Sequence, residues 1–236
     1  MIVRPAEDDA VLLITQPAHA SLARRAMEWC VPLSDHPRRA AILRAIAEHD
    51  NGWQEEDAAP EPDPATGSVV DFIHIAVPVR QQVWPRSVAR LENDPWAAAL
   101  VAHHAITVYD RYRPEAEWDH FFLTMEALRE EMLVRAEVPR DHLDADYVYL
   151  RLADLISLSF CTGSPAEQRI GEWSVQWMDP TVLVSPDPFG GREIQMEVSA
   201  TRLRLDHSRS SRELRDQIRH GETVVLSGTV KARSTN

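Results

Sequence analysis

"AEHDNGW", residues 47–53, places a histidine and an aspartate side by side where a helix runs out, with Gly52 just beyond them. The stretch leading into it, "HPRRAAILRAIAEHD" (36–50), carries Ala41, Ile42, Ala45, Ile46 and His49 along one face at helical spacing. An imidazole on an apolar face is costly without a partner. Consecutive helical side chains point about 100° apart. Two ligand-grade groups at adjacent positions therefore need the slack of a helix end to turn toward one point, and Gly52 reads as the residue that lets the chain turn sharply away.

Upstream, "HASLARRAMEWC" (19–30) repeats the helical pattern with Leu22, Ala26 and Trp29, and would bring His19 inward to meet His49. Downstream, "QEEDAAPEPDPATGS" (54–68) is rich in proline and acid and reads as an exposed loop of about 15 residues, a length that hints at function. Further helices are predicted at "PVRQQVWPRSVARLEN", "PWAAALVAHHAITVYDRY", "EAEWDHFFLTMEALREEMLVRAEV" and "ADYVYLRLADLISLSFC", with Pro85 kinking or restarting the first. Taken in order, His19, His49 with Asp50, His74, His104 and Asp154 each fall on a different predicted element, so five elements can converge on one point. His74 lies in "VVDFIHIAVPV", which reads as a strand, and its loss would leave a mononuclear site. His103 and His104 compete for one role; Leu100, His104 and Val108 share a face, which favours His104. His36, His120, His142, His207 and His220 read as surface residues.

On "QPAHASLA", "AIAEHDNGW" and "LRLADLISLSF", roughly residues 16 to 161, the sequence resembles the HD superfamily of helical metalloproteins. The order histidine, His-Asp, histidine, histidine, aspartate is that of its dinuclear members, the mixed-valent di-iron oxygenases and the phosphodiesterases of the GYP type. The chain is also similar to bacterial proteins sharing "HDxGW", which bring no activity with them. The resemblance implies that His19, His49, Asp50 and Asp154 hold a first metal, and that Asp50, His74 and His104 hold a second. Asp50 would bridge the two ions through its two carboxylate oxygens and is the catalytic residue. Imidazoles with carboxylates suit iron or manganese better than magnesium, so two metal ions, iron first, are the expected cofactors. Trp53, Trp84 and Arg86 would line the pocket around them, Trp53 and Arg86 touching substrate.

Composition sets the background. Thirty-seven acidic residues against 25 basic ones give a net charge of −12, and the one lysine is Lys231. Nucleic acid and anionic membranes, which ask for a basic face, are not expected as partners. Two cysteines make no disulfide framework, and no leader or run of about 20 apolar residues is seen, so a soluble cytoplasmic protein is expected. After Ser164, "SVQWM", "TVLVS", "REIQMEVSATRLRLD" and "ETVVLSGTVKAR" alternate in the manner of strands, as do "MIVRP" and "AVLLITQ" at the start. The expected fold is mainly α: an HD-like helical bundle with a small flanking β-sheet made from the N-terminal hairpin and the C-terminal strands. Its parts would be residues 1–164, the helical metal-binding domain with its hairpin, and 165–236, a β-rich extension packed on it.

Three functions fit this reading. A di-iron oxygenase would act on a small molecule with dioxygen. A phosphohydrolase or phosphodiesterase would generate its hydroxide at the metal. A metal-stabilised binding protein would do no chemistry. Many HD hydrolases carry a lysine soon after "HDxG", where this chain has Trp53, and the GYP motif is missing; the oxygenase is therefore favoured narrowly, although Arg86 and Arg90 can substitute as basic clamps.

Overall fold

The computed structural model describes residues 1–63, 67–204 and 210–233. The chain opens with a hairpin of β1 (Ile2–Ala6) and β2 (Ala10–Ile14), paired antiparallel. Every residue of β2 is buried, and it runs straight into α1 (Gln16–Met27), whose first turn is closed by Pro17 and by Thr15 Oγ1, which accepts from the Ala18 amide at 3.3 Å. Next come α2 (Arg39–Glu48) and the short α3 (Gln54–Ala58). They are followed by α4 (Val77–Ala89), α5 (Pro95–Tyr109), α6 (Asp119–Ala136) and α7 (Asp141–Thr162). Gly163, left-handed at φ 67°, stops α7.

β3 (Gln168–Ile170), β4 (Trp173–Met178), β5 (Thr181–Ser185), β6 (Ile194–Arg204) and β7 (Glu222–Ala232) then join the hairpin in one seven-stranded sheet, ordered β1-β2-β6-β7-β5-β4-β3. All the neighbours are antiparallel except β5 and β7. α8 (Ser211–Arg219) sits between β6 and β7, and its Leu214 joins Val11, Leu13 and Leu203 to cover the outer side of the hairpin end of the sheet.

The expectation of a mainly helical bundle with a small flanking sheet is corrected here. Helices take about 52% of the residues and strands 21%, and the strands form one curled, mixed sheet. Inward residues of β6 (Ile194, Met196, Val198, Ala200) alternate with exposed Gln195, Glu197 and Ser199, as a sheet with one buried face demands. That face lies against α1 and α7, and a continuous apolar core runs from Ile14 and Ile42 through Leu100 and Ile156 to Val175, Met196 and Val230. Local expectations shift too. Pro85 lies inside an unbroken α4, the first five residues of the acidic stretch form α3, and α8 was not foreseen. Residues 64–66 of that stretch, 205 and 206 of the β6 segment, and His207 lie outside the described residues. Among the described residues no helix is long and apolar enough to cross a membrane.

Candidate metal centre

The adjacent His49 and Asp50 reach one point because the helix stops between them. α2 ends at Glu48 and His49 is its C-cap, still right-handed helical; Asp50 has left the helix (φ −104°, ψ 14°) and starts a 3-10 turn over Asn51–Trp53. Gly52 serves a close approach rather than a sharp turn. Its amide donates to Ser87 Oγ at 2.9 Å, and a Cβ there would collide with the Val83 carbonyl oxygen of α4.

His19 from α1, His49 and Asp154 from α7 are all buried, and the donor atoms of these three could hold a metal ion. His19 Nε2 stands 3.2 Å from His49 Nε2, 3.3 Å from Asp50 Oδ2 and 3.3 Å from Asp154 Oδ1. His49 Nε2 is 3.4 Å from the same Asp50 oxygen and 3.6 Å from the same Asp154 oxygen. Metal–nitrogen and metal–oxygen bonds of about 2.0–2.2 Å set neighbouring ligand atoms roughly 3.0–3.6 Å apart; His19 Nε2, His49 Nε2 and Asp154 Oδ1 have that spacing, and Asp50 Oδ2 has it to both imidazoles. His104 of α5 stands at the side, its Nε2 3.8 Å from Asp154 Oδ2.

The far nitrogens decide what the near ones offer. His49 Nδ1 lies 2.8 Å from the Ile46 carbonyl oxygen, which only accepts, so Nδ1 carries the hydrogen. His19 Nδ1 lies 2.7 Å from Ser157 Oγ, a hydroxyl that also donates to the Ala153 and Asp154 carbonyls at 3.1 and 3.2 Å. With the Ser157 hydrogen on those carbonyls, His19 Nδ1 carries its own, and in that arrangement both Nε2 atoms face the carboxylates with lone pairs, which a proton or a cation reconciles. His104 is oriented likewise, its Nδ1 3.2 Å from the Tyr147 hydroxyl.

Burial would lower both His19 and His49, but Asp154 and Asp50 outweigh it and hold protons on the pair above the ordinary histidine value. Burial would likewise raise Asp154, yet His19, His49 and Arg151 hold it well below the usual carboxylate range. His104, lowered by burial to about 3, stays neutral.

A cavity of about 420 Å³ opens beside the cluster, lined by Asp50, His104 and Asp154, by Trp53, Phe72, Trp84 and Tyr109, and by Gln16, Arg80, Arg111 and Arg151. Trp53 and Trp84 both line this cavity. Arg86 does not line the cavity; it is tied to Glu55 and Glu56 at 3.1 and 2.7 Å. Arg90 is held by Glu55 and the Asn51 carbonyl. The structure does not bring His74 to the cluster. It sits in a turn rather than a strand, its side chain 73% exposed, with Nδ1 2.7 Å from Asp71. His103 is not in the cluster: its ring packs on Tyr147 at 4.6 Å, burial and then Arg129 lower it to about 4, and Asp144 lies 3.4 Å away. His36 is half-buried beside Asp146 at 3.3 Å; His120, His142 and His220 are exposed.

Sequence reasoning missed Ser157, Tyr147, Arg151 and Gln16. Ser157 and Arg151 were within reach of it, three residues to either side of Asp154 and so on the same stretch of helix surface. Tyr147, on the same helix but farther off, carried no such signal.

Residues 1–204 match the family described as a protein of unknown function, DUF3891. No curated protein and no solved structure matches the chain.

Proposed function

We propose, for a chain that belongs to the DUF3891 family, that His19, His49, Asp50 and Asp154 bind one divalent transition-metal ion and that the protein is a metal-dependent hydrolase of small phosphoesters. The observation that carries the reading is the meeting of His19 Nε2, His49 Nε2 and Asp154 Oδ1, with Asp50 Oδ2 beside both imidazoles and the far nitrogen of each ring engaged elsewhere. Two or three imidazoles with two carboxylates suit manganese, iron, cobalt or zinc. A relation to the HD superfamily belongs to this proposal, as does cytoplasmic action.

When bound, such an ion supplies Lewis acidity, acidifying a water molecule and offsetting charge on a phosphoryl oxygen. The chain's own residues do the rest. Asp50 lines the cavity while its Oδ2 meets both imidazoles, and its Oδ1 takes the proton of the attacking water. Arg151, held against Asp154 Oδ2 and reaching the cavity, donates to a phosphoryl oxygen as the new P–O bond forms and the P–O bond to the alcohol breaks. The alcohol leaves with a proton from solvent, and Asp50 returns to solvent the one it took. Phe72, Trp53 and Trp84 exclude bulk water from that end of the cavity.

A di-iron oxygenase would need the second ion that the resemblance assigns to Asp50, His74 and His104. With His74 turned to solvent that set is one imidazole short, which supports the one-metal hydrolase over the oxygenase. Elemental analysis of the purified protein followed by assay separates them. About one transition metal per chain, with phosphate release from 4-nitrophenyl phosphate that Asp154→Asn abolishes, is the expected result. Two irons per chain, a mixed-valent paramagnetic signal and oxygen uptake without phosphate release would overturn it.

A further inference from the structure

Two guanidinium groups meet on one neutral oxygen at the far end of the cavity. Arg80 Nη1, from α4, and Arg111 Nη2, from the turn after α5, each donate to the Tyr112 hydroxyl at 3.1 Å. Both also lie over its ring, at 5.2 and 4.8 Å from the centroid, and that ring is stacked on Trp118 at 4.7 Å. Among the described residues, no carboxylate comes within ion-pair distance of either arginine, in a chain whose net charge is −12. Arg80 Nε is buried with no partner at all. Burial alone would raise the Tyr112 phenol; the hydrogen bonds from Arg111 and Arg80 outweigh it and hold the phenol below its ordinary value, a local sign of the positive potential.

Like charges held side by side without a counter-ion are costly unless an anion completes the site, and guanidinium forks match planar or tetrahedral oxyanions. Both arginines line the same cavity as Asp50, His104 and Asp154. A wall of rings connects the two ends: His104 to Trp84 at 5.4 Å, Trp84 to Tyr109 at 5.9 Å, Tyr109 to Tyr112 at 5.9 Å. We infer that Arg80 and Arg111 form an oxyanion subsite, and that the substrate is two-ended: a phosphoester at the cluster and a second anionic group, carboxylate or phosphate, at the arginine pair, joined by an apolar body lying along Trp84 and Tyr109. The subsite stands on the arginine geometry; the placing of the phosphoester rests on the function proposed above.

Calorimetric titration of the manganese-loaded full-length chain tests this with ligands that cannot turn over. Phenylphosphonate is compared with phenylphosphonates carrying a para carboxylate or a second phosphonate, directly or through a lengthening methylene chain. The best two-ended ligand should bind at least about tenfold tighter than phenylphosphonate, as a charge-assisted contact to a paired guanidinium implies. Which terminal oxyanion gains more identifies the natural one. Arg111→Gln, at an exposed position, should remove most of that gain, and Arg80→Gln with Arg111→Gln all of it, at unchanged metal content. A gain absent in the parent protein, or surviving in both variants, overturns the inference. Chelation of the metal keeps the two readings apart. If both ligands weaken and their ratio persists, both readings hold. If affinity is indifferent to chelation while the arginine-dependent ratio persists, the subsite stands and the metal reading falls.

Discussion

Helix α7 carries two buried aspartates eight residues apart in opposite circumstances. Asp146 is surrounded by donors: Arg38 Nε and Nη2 at 2.6 and 3.0 Å, Trp96 Nε1 at 2.9 Å and His36 Nε2 at 3.3 Å. Asp154 is surrounded by bases, the Nε2 atoms of His19, His49 and His104, with Arg151 as its one permanent cation. Both are hydrophobic-core carboxylates by exposure. The first is closed by the chain itself, and its network ties the segment before α2 to α5 and α7. The second is left for something else to close. Burial of a charge therefore does not mark a site; burial among groups that share its need does.

The comparison breaks most completely if the platform beneath both aspartates is removed. Truncation after Gly163 deletes β6, the partner of β2, exposes the sheet-facing side of α1 and α7, and should give insoluble protein or protein without metal; a soluble fragment with full metal content would refute the shared core. Next in size, Asp146→Ala strands the Arg38 guanidinium and the Trp96 N–H, and urea denaturation should show a loss of about 3–5 kcal/mol, with metal still bound by the folded fraction. Asp154→Asn should do the reverse, weakening manganese or zinc binding by about 100-fold or more while the metal-free protein keeps its unfolding free energy in urea within about 2 kcal/mol of the parent.

A titration sharpens the contrast further. His19 and His49 hold protons above the ordinary histidine value of 6.5 against the pull of burial, because Asp154 and Asp50 face them. Raised histidines stabilise the metal-free fold fully below 6.5, and that contribution is lost as pH rises through the raised values. Metal competes for the same lone pairs, so metal binding should release protons at neutral pH, and its affinity should rise with pH until the pair is deprotonated. The metal-free protein should accordingly melt lower at alkaline pH while the loaded protein does not; parallel melting curves would refute the competition. The smallest effect is reserved for His74→Ala, which should leave metal content unchanged.

Much of the centre was legible before the fold. His49 with Asp50 and Asp154 stood out because polar ligand types interrupt apolar helical faces, a signal carried within single elements. His74 misled because an isolated histidine in a short segment has no periodicity to anchor it. Its place is set by Asp71, whose Oδ1 accepts from the Ile73 and His74 amides at 2.9 and 2.8 Å as well as from the ring. The arginine pair was invisible for a related reason, since Arg80 and Arg111 meet only through Tyr112. Most strands were readable from alternation, but not their union into one sheet: β7 pairs with β6 on one side and, in parallel, with β5 on the other, and such pairing is decided in three dimensions. Helix α8 escaped notice because Leu214 is its one fully buried residue.

The pairing of β2 with β6 also sets a timetable. Ala10 faces Arg204 and Leu13 faces Thr201, so the strand that launches α1, paired early with β1, finds its second neighbour only after some 200 residues have been made. Every side chain of the metal cluster has left the ribosome by then, yet His19 is not anchored until that long loop closes. Metal acquisition is on this account an event of the finished chain: a nascent protein stalled before β6 should carry the whole cluster and bind metal poorly, and release from the stall should restore binding without any new ligand being added.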